Sequence, residues 1–218
     1  MSVKKDGGQE HHHHRHHKFY RHLFACLLAF VVLVLFIILV IYLVLRPTKP
    51  RFLLQDASVI VFNLSGTPPA AAFVTTTMQV TLTTRNPNDH IGIYYDKLDV
   101  YAAYKYQQVT LATAIPPTYQ GHNDVVVWSP FLYGVNVPIA PYLALGVAQD
   151  QNAGLMLLYV KVRGRLRWKV GTWTSGHYHI SVSCPALLGF RGQGGGYAGG
   201  GYSPVIRFQQ GSTCTVDV

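Results

Sequence analysis

Acidic side chains are scarce in this 218-residue sequence, which contains nine Asp and Glu against 18 Lys and Arg. Its only glutamate is Glu10, so the region after residue 51 has seven aspartates and no glutamate. The sequence also lacks a Gly-x-Ser-x-Gly elbow, a phosphate-binding glycine loop, a His-Glu-x-x-His helix and a Cys-x-x-Cys pair. With no recognisable catalytic or metal-binding set, the chain is predicted to be no enzyme and to use no cofactor.

Histidine is frequent, above all in the N-terminal segment. The tract from His11 to His17 reads HHHHRHH and is interpreted as a solvated low-complexity tail with adventitious affinity for metal ions. His177 and His179 lie two residues apart on one face of a predicted strand and could share a metal. Histidines beside a surface turn are the commoner arrangement, so we predict no metal site.

Charged residues are absent over the 23 residues from Leu23 to Leu45. As a helix this run would span about 34 Å, against about 30 Å for the hydrocarbon core of a bilayer. A cleaved signal peptide is the alternative, but its apolar region is usually about 7–15 residues long and ends at small residues. This run is longer and ends in Leu45-Arg46-Pro47, so we predict an uncleaved membrane-spanning helix with the lipid bilayer as partner.

The flanking charges predict the orientation of this helix. Five Lys and Arg precede it and three follow it, which favours a cytosolic N-terminus. The glycosylation sequon at Asn63 is useful only on the lumenal side, and Cys184 and Cys214 could pair there. The predicted single-pass type II chain has a cytosolic tail (1–22), a membrane helix (23–45), a basic spacer (46–51) and an extracellular domain (52–218).

Most of the basic excess lies beside the predicted membrane helix. Residues 1–51 carry eight Lys and Arg against two acids, whereas residues 52–218 carry ten against seven. Topology and attraction to anionic lipid explain this distribution better than nucleic acid does, so we predict no nucleic-acid partner.

Beyond residue 52, apolar and polar residues alternate with a period of two, through residues 77–83, 97–102, 158–170 and 177–184. This period is typical of strands with one buried face, and short turns between the runs favour an antiparallel sandwich. Gly164 interrupts the inner row of its strand and indicates a bulge. No helical period is recognised after Leu45.

A glycine-rich stretch over residues 189–203 is predicted to be a flexible loop, because it cannot build a core. Alternation then returns around residues 205–208 and 213–218, which predicts that the chain re-enters the sheet. Cys214 would come near Cys184 if those strands are neighbours.

The strongest physical feature is a line of five cations pointing outward from one predicted strand, which we call the basic row. It consists of Lys161, Arg163, Arg165, Arg167 and Lys169. Charges about 6.6 Å apart repel one another unless anions or acids lie opposite. The row is interpreted either as a contact for anionic lipid or acidic polysaccharide, or as a solubilising strand face that discourages aggregation.

Five tyrosines cluster around one predicted strand: Tyr94, Tyr95, Tyr101, Tyr104 and Tyr106. They could form a binding face, although strand packing explains such residues more often.

Several short motifs occur in order along the chain and together resemble a known plant family. They are Arg85-Asn86-Pro87-Asn88, Ile91 to Asp96, Tyr119-Gln120-Gly121-His122, Ser129-Pro130-Phe131 with Gly134, Arg165 to Gly171, and Val182-Ser183-Cys184 followed by Phe208 and Cys214. In the first of these, Pro87 fixes φ and the two asparagine side chains can bond nearby backbone, so Asn86, Pro87 and Asn88 form a structural turn.

The chain thus resembles the harpin-induced-like (NHL) family, whose members carry a late-embryogenesis-abundant group 2 domain, also called WHy. The resemblance implies a type II plasma-membrane protein with an immunoglobulin-like or fibronectin-III-like sandwich outside the cell. It also implies a role in pathogen defence, the hypersensitive response and abiotic stress, without enzymatic activity.

Two hypotheses of function follow. In the first, the extracellular domain contacts protein partners at the cell surface in defence or stress signalling. In the second, the domain has a structural or protective role and binds anionic lipid or cell-wall polysaccharide directly through the basic row.

Overall fold

The structure is a computed structural model, and it describes residues 10–44, 47–66, 72–190, 206–208 and 210–218. Residues 1–46 and residues 47–218 form two compact units, and each is described by itself. In chain order the elements are α1 (Glu10–Val44), β1 (Arg51–Ser65), β2 (Ala72–Arg85), β3 (Gly92–Tyr104), β4 (Gln107–Gln108), β5 (Thr113–Ile115), β6 (Thr118–Gln120), β7 (Val125–Trp128), β8 (Phe131–Ile139), α2 (Pro141–Ala153), β9 (Leu155–Val170), β10 (Trp173–Thr174), β11 (Tyr178–Phe190), β12 (Ile206–Phe208), β13 (Ser212–Thr213) and β14 (Thr215–Asp217).

Helix α1 contains a stretch that is long and apolar enough to cross a membrane. This stretch is Tyr20–Val40, with a mean hydropathy of 3.5, and none of it is buried within the protein. The helix begins at Glu10, well before the predicted start at Leu23, and continues to Val44. An exposed helix of this composition is consistent with the predicted membrane anchor.

The second unit is an antiparallel β-sandwich, as the alternating pattern predicts. One layer has β3, β9 and β11 side by side, and the other has β1 and β2 with β7 and β8 along the outer edge. The short strand β12 pairs with both β11 and β1 and so joins the two layers. The predicted fold class is therefore confirmed.

Aromatic side chains fill the space between the layers. Tyr95 of β3 makes edge contacts with Trp128 of β7 and Phe52 of β1, at ring-centroid distances of 5.5 and 6.3 Å. Residues at every second position of β2 and of most of β9 are buried in the same core. Because the period-two pattern assigns the buried face correctly, it also fixes which side chains point outward.

The prediction of no helix after residue 45 is wrong, because α2 lies between β8 and β9. Pro141 occupies its first turn, and Gly154 ends it in the left-handed conformation with φ of 79°. Its buried face consists of Leu143, Ala144 and Val147 with Gly146. The helix is short and its residues are mostly small, so its apolar period is weak.

The bulge predicted at Gly164 lies instead on the neighbouring strand. The β3–β9 register skips one residue of β3 between Tyr95 and Lys97, which leaves Asp96 as the extra residue. Gly164 faces this bulge, and a Cβ atom there would collide with the backbone carbonyl of Lys97. The glycine is therefore needed for close approach of the two strands.

The glycine-rich loop begins later than predicted, because Gly189 and Phe190 belong to β11. The remainder of the predicted loop, residues 191–203, lies outside the described residues. The chain does re-enter the sandwich, as three short strands that pair with β1 or β11. The spacer ends one residue earlier than predicted, since β1 begins at Arg51.

Candidate functional site

The basic row lies on the outer face of β9, where strand alternation directs it away from the core. The neighbouring positions Val160, Val162 and Leu166 point inward and are buried. The five cations are not equivalent, however. Arg163 and Arg165 are exposed, whereas the other three are half-buried against side chains of β3 and its neighbours.

Arg167 is held by the bulged aspartate of β3. Its Nε donates to both carboxylate oxygens of Asp96, at 3.1 and 2.8 Å, and its Nη2 donates to Oδ1 at 2.5 Å. Hydrogen bonds from Arg167, together with the charges of Arg167, His177 and Arg165, hold the pKa of Asp96 below its ordinary value, although partial burial opposes this. The bulge thus presents a carboxylate to the middle of the basic row and neutralises one of its members.

Lys169 rests on a pair of tyrosines. Its Nζ lies 5.5 Å from the ring centroid of Tyr94 and 5.1 Å from that of Tyr119, and it donates to the Tyr94 hydroxyl at 3.3 Å. The two rings are themselves 4.5 Å apart. Cation–π contacts of this kind stabilise a half-desolvated ammonium.

Two further cations of the row also lie over tyrosine rings. The guanidinium of Arg163 is 5.6 Å from the Tyr101 ring centroid, and the Lys161 ammonium is 5.8 Å from that of Tyr106. Tyr101 is buried, but Tyr106 is 94% exposed at the tip of the β3–β4 hairpin. Only the first of these contacts therefore has a firmly packed ring.

Arg165 is the one member of the row with no hydrogen bond, ion pair or ring contact to another described side chain. Across the sheet it faces Lys97 of β3 and His179 of β11. Its exposed guanidinium consequently lies among other basic groups.

The predicted tyrosine cluster divides into two groups. Tyr95 and Tyr104 belong to the core, as the packing interpretation predicts, whereas Tyr94, Tyr101 and Tyr106 contact the basic row. Sequence reasoning missed these cation–tyrosine pairs because they join strands about 60 residues apart. The outward positions of Tyr101 and of the cations were available as a signal, but the strand pairing was not.

The turn formed by Asn86, Pro87 and Asn88 is locked by buried hydrogen bonds. The Asn86 amide donates to the carbonyls of Ile91 and Gly121, at 2.7 and 2.8 Å. Its Oδ1 accepts from the backbone and side-chain nitrogens of Asn88. The turn therefore joins β2, β3 and the loop after β6, which is a structural role.

Asn88 also ties the start of the domain to this turn. Its side chain accepts from the Thr48 N–H at 2.7 Å and donates to the Thr48 carbonyl at 2.8 Å. This paired contact fixes the backbone just before β1.

A second buried polar group, which sequence reasoning did not single out for a role, is Gln120. It accepts from the Tyr95 hydroxyl at 3.0 Å and donates to the backbone carbonyls of Thr84 and Asp124. Burial raises the pKa of Tyr95, so its hydroxyl stays protonated and remains a donor. The most deeply buried polar groups thus stabilise loops at one end of the sandwich.

The structure joins Cys184 of β11 to Cys214, which lies between β13 and β14, in a disulfide with a Cα–Cα distance of 4.2 Å.

Asn63 lies on β1, opposite Thr75 of β2, with its side chain exposed. A glycosylating enzyme could therefore reach the sequon, and glycosylation stays a prediction.

The histidines show no metal-binding arrangement in the described parts of the chain. His177 approaches the Asp96 carboxylate at 3.6 Å, while His179 faces Arg165. Within residues the structure describes, no three His, Cys, Asp or Glu side chains are grouped closely enough to hold a metal ion. The His-rich tract of the N-terminal segment contributes no described side chains.

Comparison with known proteins supports the resemblance seen in the motifs. The family described as late embryogenesis abundant protein matches residues 81–184. NDR1/HIN1-like protein 1 of Arabidopsis thaliana is 46% identical over 201 residues, which cover 92% of this chain and 94% of that protein. NDR1/HIN1-like protein 12 of the same plant is 45% identical and covers 88% of this chain and 89% of its own length.

A third relative, NDR1/HIN1-like protein 26 of Arabidopsis thaliana, is 39% identical over 67% of this chain and 68% of its own length. These similarities confirm the family predicted from the ordered motifs. The chain belongs to the NDR1/HIN1-like family and carries a late embryogenesis abundant domain.

Proposed function

We propose that this chain is a non-enzymatic protein anchored in the plasma membrane, which acts in plant defence and stress responses through contacts of its extracellular domain. In this proposal α1 crosses the membrane with its N-terminus in the cytosol, and the sandwich lies outside the cell with protein partners at the surface.

The observation that supports this proposal best is the length of the match to NDR1/HIN1-like protein 1. A similarity over 201 of 218 residues necessarily includes part of α1 as well as the domain. The polar network around Asn86 and Gln120 also favours a binding module, because these buried groups bond to backbone and brace loops. Contacts with partners would then be made by the outer faces.

Proximity labelling from the C-terminal end of the chain tests this proposal. We expect a labelled set of cell-surface proteins that changes when the plant cell meets a pathogen elicitor. The matched control carries the same N-terminal segment, residues 1–50, fused to an unrelated extracellular domain. If both chains label the same proteins before and after elicitation, the domain makes no specific contacts and the proposal fails.

The basic row favours a second candidate, in which the domain protects the membrane–wall contact by binding anionic lipid or cell-wall polysaccharide. The supporting observation is that Arg163 and Arg165 are exposed with no acid paired to them among the described residues. Reversing their charge, Arg163→Glu with Arg165→Glu, should abolish binding to vesicles or pectin. Arg167 is better left unchanged, because its loss would leave the Asp96 carboxylate without its hydrogen-bond donor.

A further inference from the structure

We propose that Arg163, Arg165, His179 and Ser181 form a binding site for an acidic polysaccharide with uronate carboxylates. The inference rests on the second candidate function, and it reduces the five-residue row to one site at the junction of β9 and β11. Arg163 lies over the Tyr101 ring but, like Arg165, has no acid paired to it among the described residues, whereas Arg167 is paired with Asp96.

The register of the sheet places these four side chains at the corners of a rectangle. Arg165 lies directly opposite His179, and Arg163 lies directly opposite Ser181. All four are exposed on the outer face. Directly opposite residues are about 5 Å apart, and alternate residues of one strand are about 6.6 Å apart. Two arginine forks therefore stand side by side, each with a polar neighbour.

Acidic side chains lie on both sides of the proposed site. On the β3 side, Asp96 is paired with Arg167, and Asp99, which lies directly opposite Arg163, is paired with Lys97 at 3.1 Å. On the far side, Asp217 faces Ser181 from β14 and lies within 3.7 Å of Lys49. An anion consequently finds its most favourable position between these acids, over the two arginines.

The surface is concave at this point. Arg163, Gly164, His179, Ile180, Ser181, Asp217 and Val218 line an open depression, which Arg165 adjoins through Gly164 without lining it. Gly164 and Ile180 both occupy inward-facing positions, so neither contributes a side chain to the outer surface among the four polar residues.

The chemistry fits a polyuronate better than a bilayer. A guanidinium binds a carboxylate through two parallel hydrogen bonds, and two guanidiniums on alternate residues can hold two carboxylates of one chain. The hydroxyl of Ser181 and the ring of His179 can bond sugar hydroxyls. A flat anionic membrane would instead bring its charges against Asp99 and Asp217 as well, which disfavours it.

Binding of defined oligogalacturonates to the full chain in phosphatidylcholine nanodiscs tests the proposal. The double variant Arg163→Gln with Arg165→Gln should bind about tenfold or more weakly, since it loses two charge-assisted contacts. Ser181→Ala should bind a few-fold more weakly with no change of charge. The matched control, Arg51→Gln with Arg85→Gln, removes two charges from a facing pair on β1 and β2 and should bind as the unaltered chain does.

The possible outcomes distinguish failure of the proposed site from failure of the second candidate function. An equal loss in the control pair, or unchanged binding in the Arg163 and Arg165 variant, would overturn the site while polysaccharide binding itself stood. Equal binding of a fully methyl-esterified oligomer would overturn the role of the carboxylates. Binding to phosphatidylserine vesicles alone, lost in the double variant, would assign the arginines to lipid. Binding to neither probe would remove the second candidate function altogether.

Discussion

Asn86 illustrates how a polar side chain can determine a fold without taking part in chemistry. It is completely buried, and its one amide group bonds two backbone carbonyls and two nitrogens of Asn88. Two segments that are 35 residues apart in sequence thus meet at a single side chain. Because a turn needs these residue types at this spacing, its structural role could be predicted from the sequence, whereas its long-range partner Gly121 could not.

Replacing Asn86 by alanine should lower the free energy of unfolding by about 3 kcal/mol, because two buried carbonyls would lose their donor. Chemical denaturation of the full chain in detergent, followed by tryptophan fluorescence, measures this change. The surface variant Asn152→Ala on α2 is the control and should leave stability nearly unaltered. A similarly small effect for both variants would contradict the structural role of the turn.

The Asp96–Arg167 pair gives a prediction about pH. The pKa of Asp96 is lowered in the folded state, so its stabilising effect is present above the unfolded value of 3.8 and is lost as the pH falls through the folded value. Asp96→Asn should therefore cost about 1 kcal/mol at neutral pH, since the pair is partly exposed. The difference from the unaltered chain should shrink as the pH falls from about 4 towards 2.

Urea unfolding at a series of pH values tests this expectation. Asp56→Asn serves as the control, because that exposed aspartate bonds only to Ser58 among the described residues. A stability difference for Asp96→Asn that stayed constant down to the lowest pH would mean that the ion pair contributes nothing.

Strands β3 and β9 depend on a glycine opposite a bulge. Gly164→Ala would place a methyl group against the Lys97 carbonyl and the Leu98 side chain, so the ladder would have to separate locally. We expect a loss of about 2–3 kcal/mol in unfolding free energy. Gly176→Ala is a matched control, because a Cβ there meets nothing within 4 Å. Equal melting temperatures for the two variants would show that the strands do not need this close approach.

Part of the secondary structure could be predicted from the pattern of apolar residues in the sequence. The apolar run and the period-two alternation predict α1, the long strands and their buried faces, because burial acts on each segment locally. Helix α2 escapes this reasoning, since Leu143, Ala144 and Val147 occur among other small apolar residues. Its Pro141 and Gly154 were the available start and stop signals. The bulge was assigned to the wrong strand because a bulge is a property of strand pairing.

The candidate site was predictable only in part. Alternation along β9 identifies all five cations of the basic row as outward-facing. Which of them are paired with an acid or packed against rings depends on Asp96, Tyr94 and Tyr119, which belong to other strands. The contacts made with neighbouring strands, rather than the sequence of β9, therefore leave Arg163 and Arg165 as the exposed members of the row with no acid paired to them among the described residues.

At the scale of the whole domain, the disulfide links β11 to the C-terminal segment between β13 and β14. Cys184 and Cys214 are 30 residues apart, and the segment between them includes the glycine-rich stretch. In the chain-entropy account a crosslink of this length contributes about 3–4 kcal/mol by restricting the unfolded state. Cys184→Ser with Cys214→Ser should thus lower the unfolding free energy by about that amount. Unaltered stability in the double variant, or no effect of reductant on the parent chain, would contradict this.

In the proposed function, α1 anchors the chain in the plasma membrane with the sandwich outside the cell. Protease treatment of intact plant protoplasts expressing the full chain, tagged at both ends, tests it most directly. We expect the C-terminal tag to be lost while a short fragment with the N-terminal tag stays protected and membrane-bound. Survival of the C-terminal tag in intact protoplasts, with loss only after the membrane is opened, would contradict it.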